Sequence, residues 1–115
     1  MRTRFLIMIL LLMGSVVLTA CNSEPGEYDD FATCLFEKDV TMYGTEWCSH
    51  CQNQKKEFGK SFKYVNFVDC DKNRDECLGE GVEGYPTWKI NDNLHPGEQA
   101  LERLAALSGC ELNNE

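Results

Sequence analysis

Two cysteines three residues apart, Cys48 and Cys51 in Trp47-Cys48-Ser49-His50-Cys51, are the residues of this chain best suited to chemistry. They follow a short apolar stretch ending at Gly44, and from Cys48 onward the spacing of Gln52, Lys55, Lys56 and Phe58 predicts a helix closing near Gly59. Two cysteines so spaced at a helix start occupy neighbouring positions of its first turn, where their sulfurs can bond without distorting the backbone. The first sulfur then faces unpaired backbone N–H groups and the positive end of the helix dipole. Both favour thiolate over thiol, and cysteines in such places ionise with pKa values of roughly 3.5–7.5. A thiolate is the species that attacks a disulfide, so Cys48 is the expected nucleophile and Cys51, further into the helix, the expected resolving thiol. Ser49, His50 and Trp47 are the expected tuning residues. A protonated His50 would stabilise the neighbouring thiolate and make the pair more oxidising; a solvent-exposed helix histidine looks the same in sequence.

Zinc is the rival chemistry for a lone Cys-x-x-Cys. A structural zinc site needs four ligands, usually including a second close pair. Here Cys70 and Cys77 are separated by six residues, and His95 stands alone. Nor is there a Cys-x-x-Cys-His, the signature of covalent haem attachment. No metal site and no cofactor are expected.

Further elements must position the pair. Tyr28, Phe31, Ala32, Leu35 and Phe36 recur at three- and four-residue spacing and predict a first amphipathic helix. Val40 to Tyr43 reads as a strand, Tyr64 to Val68 as a second, buried strand, and Thr87 to Ile90 as a third. One helical turn is expected around Glu76 to Leu78. Asn91-Asp92-Asn93 reads as a hairpin turn into a short edge strand at Leu94. Leu101, Leu104, Ala105 and Leu107 form an apolar helical stripe, with Gly109 as its stop. The order helix, strand, helix, strand, strand, strand, helix gives an α/β fold, a mixed sheet of about four strands covered by helices.

The chain begins with a different kind of segment. Arg2 and Arg4 precede an almost unbroken apolar run from Phe5 to Leu18, too short to span a bilayer comfortably. A secretory cleavage site wants small residues one and three before the cut; Ala20 fits and Leu18 does not. Leu18-Thr19-Ala20-Cys21 resembles a bacterial lipobox, which makes residues 1–20 a lipoprotein signal peptide and Cys21 the lipidated first mature residue. A plain secretory signal is the alternative. Residues 21–27 then form a tether reaching about 20 Å over its six residues after Cys21, and residues 28–112 form the folded domain.

Lipidation of Cys21 leaves six of the seven cysteines: Cys34, Cys48, Cys51, Cys70, Cys77 and Cys110. An even set in a short exported domain points to disulfides, and six cysteines allow fifteen pairings. Without Arg2 and Arg4, 9 basic residues face 19 acidic ones. That balance argues against nucleic acid, whose affinity rests on basic contacts to phosphate, and suits the solubility of a small monomer.

Met42-Tyr43-Gly44-Thr45-Glu46-Trp47-Cys48-Ser49-His50-Cys51-Gln52 resembles the active-site segment of thioredoxin-like proteins, and Gly84-Tyr85-Pro86-Thr87-Trp88 resembles their cis-proline loop. The likeness is greatest to the thioredoxin-like domain fused to bacterial vitamin K epoxide reductase homologues and covers roughly Phe31 to Cys110. It implies a thioredoxin-like fold, a cis bond before Pro86, and a substrate-binding platform at Tyr85 and Pro86. It implies a thiol–disulfide oxidoreductase whose partners are exported cysteine-containing proteins or a membrane redox partner; the lipobox-like segment adds the expectation of an extracytoplasmic place, lipid-anchored to a bacterial membrane on its periplasmic side or at the cell surface. With the spacing, it favours a Cys70–Cys77 staple after the second strand; Cys34–Cys110 is the expected remaining pair, with a second redox relay at Cys70 and Cys77 as the rival. One departure stands out: the buried aspartate that reductive thioredoxins carry six residues before the first cysteine is here Met42. A metal-binding (copper or zinc) or client-binding lipoprotein on the same scaffold is the alternative function, and a purely structural lipoprotein with an inert Cys48–Cys51 pair is a third.

Overall fold

The computed structural model describes residues 24–113. The signal segment over 1–20 and the lipidation residue Cys21 lie outside them, as does the start of the tether. Within them run α1 (Asp29–Glu37), β1 (Thr41–Gly44), α2 (Ser49–Phe58), a 3-10 segment (Gly59–Tyr64), β2 (Asn66–Asp69), α3 (Arg74–Gly79), β3 (Thr87–Ile90), β4 (Asn93–Pro96) and α4 (Leu101–Ser108).

The four strands form one mixed sheet in the order β2-β1-β3-β4. β1 pairs parallel with β2 and antiparallel with β3, and β3 pairs antiparallel with β4. Because successive strand residues point to opposite faces, the register sorts the side chains into two layers. Met42 is paired with Phe67 on one side and Trp88 on the other, and this row faces the main core. There Phe31, Ala32 and Leu35 of α1, Cys51 and Phe58 of α2, and Leu101 and Leu104 of α4 are buried. Phe58 stacks on Phe31 with ring centroids 6.1 Å apart and lies 6.0 Å from Trp88. Each large apolar side chain so buried contributes roughly 1.5–3 kcal/mol. The neighbouring row, Tyr43 beside Val68, faces a smaller cluster with Cys70, Cys77 and Val82.

Two expectations are corrected. Tyr64 to Val68 is not a buried strand: α2 ends at Gly59, the chain tightens into the 3-10 segment through Tyr64, and β2 starts only at Asn66. β2 is a half-buried edge strand, because a single neighbour, β1, flanks it. Around Glu76 the expected single turn is a six-residue helix, α3. The hairpin after β3 closes through Asn91 and Asp92, both with positive φ (50° and 63°), the backbone a two-residue turn between twisted strands demands. α4 stops at Gly109, whose left-handed φ of 77° a glycine adopts without a Cβ penalty.

Candidate active site

The site forms where β1 gives way to α2. Cys48 is the residue that caps α2: its backbone is extended (φ −69°, ψ 120°), and its sulfur accepts a hydrogen bond from the Cys51 N–H at 3.3 Å. A side-chain acceptor at this position satisfies one of the free N–H groups of the first turn, here with sulfur where oxygen is usual. Cys51 lies in that first turn and is fully buried, whereas Cys48 keeps 8% exposure. Both are free thiols, while the other four cysteines of the described residues are joined as Cys34–Cys110 and Cys70–Cys77.

The loop before β3 closes over the pair. Its Tyr85–Pro86 peptide is cis, and the Cys48 thiol lies 3.5 Å from the Tyr85 carbonyl oxygen, which accepts from it. Trp47 stands out from the surface at 69% exposure, edge-on to Tyr85 with ring centroids 6.3 Å apart, and its indole N–H donates to Asp71 at 2.7 Å. An exposed aromatic pair therefore flanks the more accessible sulfur. Next to it, a cavity of about 160 Å³ is lined by Tyr85, Asp71, Arg74, Leu78, Val82 and the Cys70–Cys77 disulfide. Ser49 and His50 are exposed on the first turn of α2. His50 Nδ1 lies 2.8 Å from Glu98 Oε2, an ion pair when the imidazole is protonated.

Burial pushes the Cys51 thiol up to about 12, and its hydrogen bond with Cys48 works in the same direction. A backbone hydrogen bond from Thr45 and the charge of Lys55 act the other way. At neutral pH Cys51 is thus held as the protonated partner, and the residue fit to receive an external disulfide is Cys48. Room for the buried sulfur comes from Gly44: a Cβ there would stand 2.7 Å from Cys51 Sγ. Met42 is fully buried in the sheet at the place where a reductive thioredoxin carries its aspartate, so no carboxylate occupies that position. Among the described residues, no group of three or more histidine, cysteine or acidic side chains is arranged to hold a metal ion.

Several contributors carry no local signal in the sequence. Gln54 is fully buried, accepts from Trp88 Nε1 at 3.0 Å and from the Gln99 N–H at 2.7 Å, and donates to the Gln99 carbonyl at 2.9 Å. It ties the active-site helix both to β3 and to the loop that carries Glu98. Asp71, Glu98 and Gln54 meet their partners only through long-range folding. Gly44 could have been found, because a glycine just before a buried cysteine pair suggests close approach.

A family model described as thioredoxin matches residues 27–106. The chain is similar to the thiol-disulfide oxidoreductase LTO1 of Arabidopsis thaliana, with 41% identity over 81 residues covering 63% of this chain and 22% of that protein. It is similar to a protein disulfide-isomerase of Humicola insolens, with 32% identity over 98 residues covering 75% and 19%. The chain thus spans about a fifth of the length of these curated relatives. Among solved structures, the X-ray structure of Fasciola hepatica thioredoxin aligns with 67% of this chain and 88% of its own, at 21% identity and a TM-score of 0.47. Since the family match takes in every helix and strand up to α4, the chain belongs to the thioredoxin family.

Proposed function

We propose that this protein is an extracytoplasmic thiol–disulfide oxidoreductase, lipid-anchored through Cys21, that exchanges disulfides through Cys48 and Cys51. The observation that carries the reading is the pair itself: the two free thiols of the described domain sit together at the start of α2, under a cis-proline loop, while four other cysteines are consumed in disulfides. In the forward step the Cys48 thiolate attacks one sulfur of a partner disulfide. That disulfide breaks, its electron pair leaving on the other partner sulfur, and a mixed disulfide joins Cys48 to the partner. Cys51 then gives up its proton and attacks Cys48 Sγ; the partner leaves as a dithiol, two electrons richer, and Cys48–Cys51 is oxidised. The same steps run backwards when the partner is the stronger reductant.

The relatives named as oxidoreductase and isomerase support this class of reaction. The exposed Trp47 and Tyr85 beside the reacting sulfur suit an extended, partly apolar protein segment. The lipobox-like Leu18-Thr19-Ala20-Cys21 motivates the anchor and the location. A short tether and the resemblance to a domain fused to vitamin K epoxide reductase homologues motivate a membrane-embedded, quinone-linked partner, with exported proteins as the other partners. The test is trapping. Cys51→Ser should leave partners covalently bound to Cys48, released by reductant and identified by mass spectrometry. Absence of any Cys48-dependent adduct, together with absence of Cys48-dependent turnover in an insulin-reduction assay, would refute the reading.

A further inference from the structure

Before Cys51 can attack Cys48 it must lose a proton that burial holds tightly. The carboxylate that would assist is replaced by Met42, packed between Phe67 and Trp88. A cation is available instead. Lys55 follows Cys51 by four residues and so stands one turn further along the same face of α2. Its side chain is only 21% exposed, and its ammonium is held from three sides: by Glu46 Oε2 at 3.0 Å, by the Phe67 ring at 4.1 Å from the centroid, and by the Phe62 ring at 5.4 Å. The Phe67 ring and the sulfur border the same space at Gly44, where a Cβ would lie 3.2 Å from the ring edge and 2.7 Å from Cys51 Sγ. The ammonium and the sulfur thus lie on the same helix face and share the Phe67 ring as a common border, the charge of Lys55 acts to lower the Cys51 thiol, and a cation fixed there favours an anion forming near it.

We propose that Lys55 is a positioning residue for the resolving step: its ammonium, clamped by Glu46 and the two phenylalanine rings, stabilises the Cys51 thiolate as it forms. The titratable groups involved are Cys48 and Lys55 on the sulfur and Glu46 on the ammonium. The inference rests on the oxidoreductase reading of Cys48 and Cys51.

An aromatic disulfide, 5,5′-dithiobis(2-nitrobenzoate), separates the two. Reduced protein first releases one thionitrobenzoate as Cys48 takes up the other; Cys51 then loses its proton to the buffer, bonds to Cys48 Sγ, and expels the second with its electron pair. Stopped-flow absorbance resolves both releases. Lys55→Met, which keeps the apolar stem, should slow the second release about tenfold and move its pH–rate profile up by about one unit, leaving the first unchanged. Lys55→Arg, which keeps the charge, should restore both. A second release in Lys55→Met within about twofold of the parent, or equal slowing in Lys55→Arg, would overturn the role of Lys55 while leaving the oxidoreductase reading intact. Failure of the parent protein to give the first release would overturn both. If Lys55→Met does not fold, Lys55→Gln carries the same expectation and the same refutation.

Discussion

A side chain at Gly44 and the sulfur of Cys51 would claim the same space, with a Cβ and Sγ only 2.7 Å apart. The end of β1 and the first turn of α2 are therefore in direct contact at the least accessible atom of the site. Gly44→Ala must displace the sulfur or the strand, and overpacking of this kind costs about 1–3 kcal/mol. We expect a fall in thermal midpoint of roughly 4–8 °C per kcal/mol, measured by circular dichroism on the reduced protein, together with slower closure of the Cys48–Cys51 disulfide. A variant as stable as the parent would show that the sulfur has room to move.

Alkaline pH should weaken the reduced protein selectively. Burial raises the Cys51 thiol from an ordinary 9.0 to about 12, so the native state holds this proton more tightly than the unfolded chain does. The stability this represents is complete below about pH 9 and is lost as pH climbs toward 12. Tyr28, Tyr43 and Lys89 are also shifted upward, but they titrate in both redox forms and cancel in a comparison. The urea midpoint of the reduced protein should drop between pH 9 and 10.5 relative to that of the oxidised protein, and Cys51→Ala should follow the pH dependence of the oxidised parent. Parallel curves for the two forms would contradict the assignment.

The two structural disulfides should differ in weight. Cys34–Cys110 closes a span of 76 residues and Cys70–Cys77 one of 7. On the chain-entropy model the first contributes roughly 4–5 kcal/mol and the second roughly 2–3. Double alanine variants at each pair, unfolded in urea with Cys48 and Cys51 reduced, should preserve that order. The reverse order would mean that the long loop is already constrained in the unfolded chain.

Gln54→Leu tests the buried amide. It would strip partners from Trp88 Nε1 and from both backbone groups of Gln99. Each orphaned buried group costs about 1–3 kcal/mol, so a loss on the order of 3 kcal/mol or more is expected. Faster hydrogen exchange at the Gln99 amide should accompany it. An unchanged exchange rate would show that Gln99 is held by other contacts.

His50→Ala addresses the exposed end of the site. If the imidazolium paired with Glu98 favours the Cys48 thiolate, its removal makes the pair more reducing, by about 30 mV for each tenfold change in equilibrium constant. Equilibration against glutathione reads this directly, and an unchanged potential would reduce His50 to a surface residue.

Much of this candidate site is legible in the sequence. Cys48 and Cys51 were identifiable because three-residue spacing at a helix start is a local property, and Tyr85 and Pro86 because their motif resembles a known loop. Helix α4 and its glycine stop, and the hairpin at Asn91 and Asp92, were equally local. β2 was misplaced because Tyr64 and Val65 are apolar, and apolar character alone does not distinguish the end of a 3-10 segment from a strand. The ion pair of Glu46 with Lys55 carries no signal in the sequence; it accompanies the packing of the Lys55 ammonium over Phe62 and Phe67.

The sequence by itself determined the candidate thiol pair and the order of the elements apart from the 3-10 segment and the full extent of α3, since residue type, spacing and hydrophobic period are written along the chain. Only the tertiary structure decided how completely Cys51 is buried, which glycine gives it room, and which distant side chains, Gln54 with Trp88, Trp47 with Asp71, His50 with Glu98, meet around the pair. The physical reason is that burial and charge pairing depend on distances between residues 24 to 48 positions apart along the chain, and no local rule reports those distances.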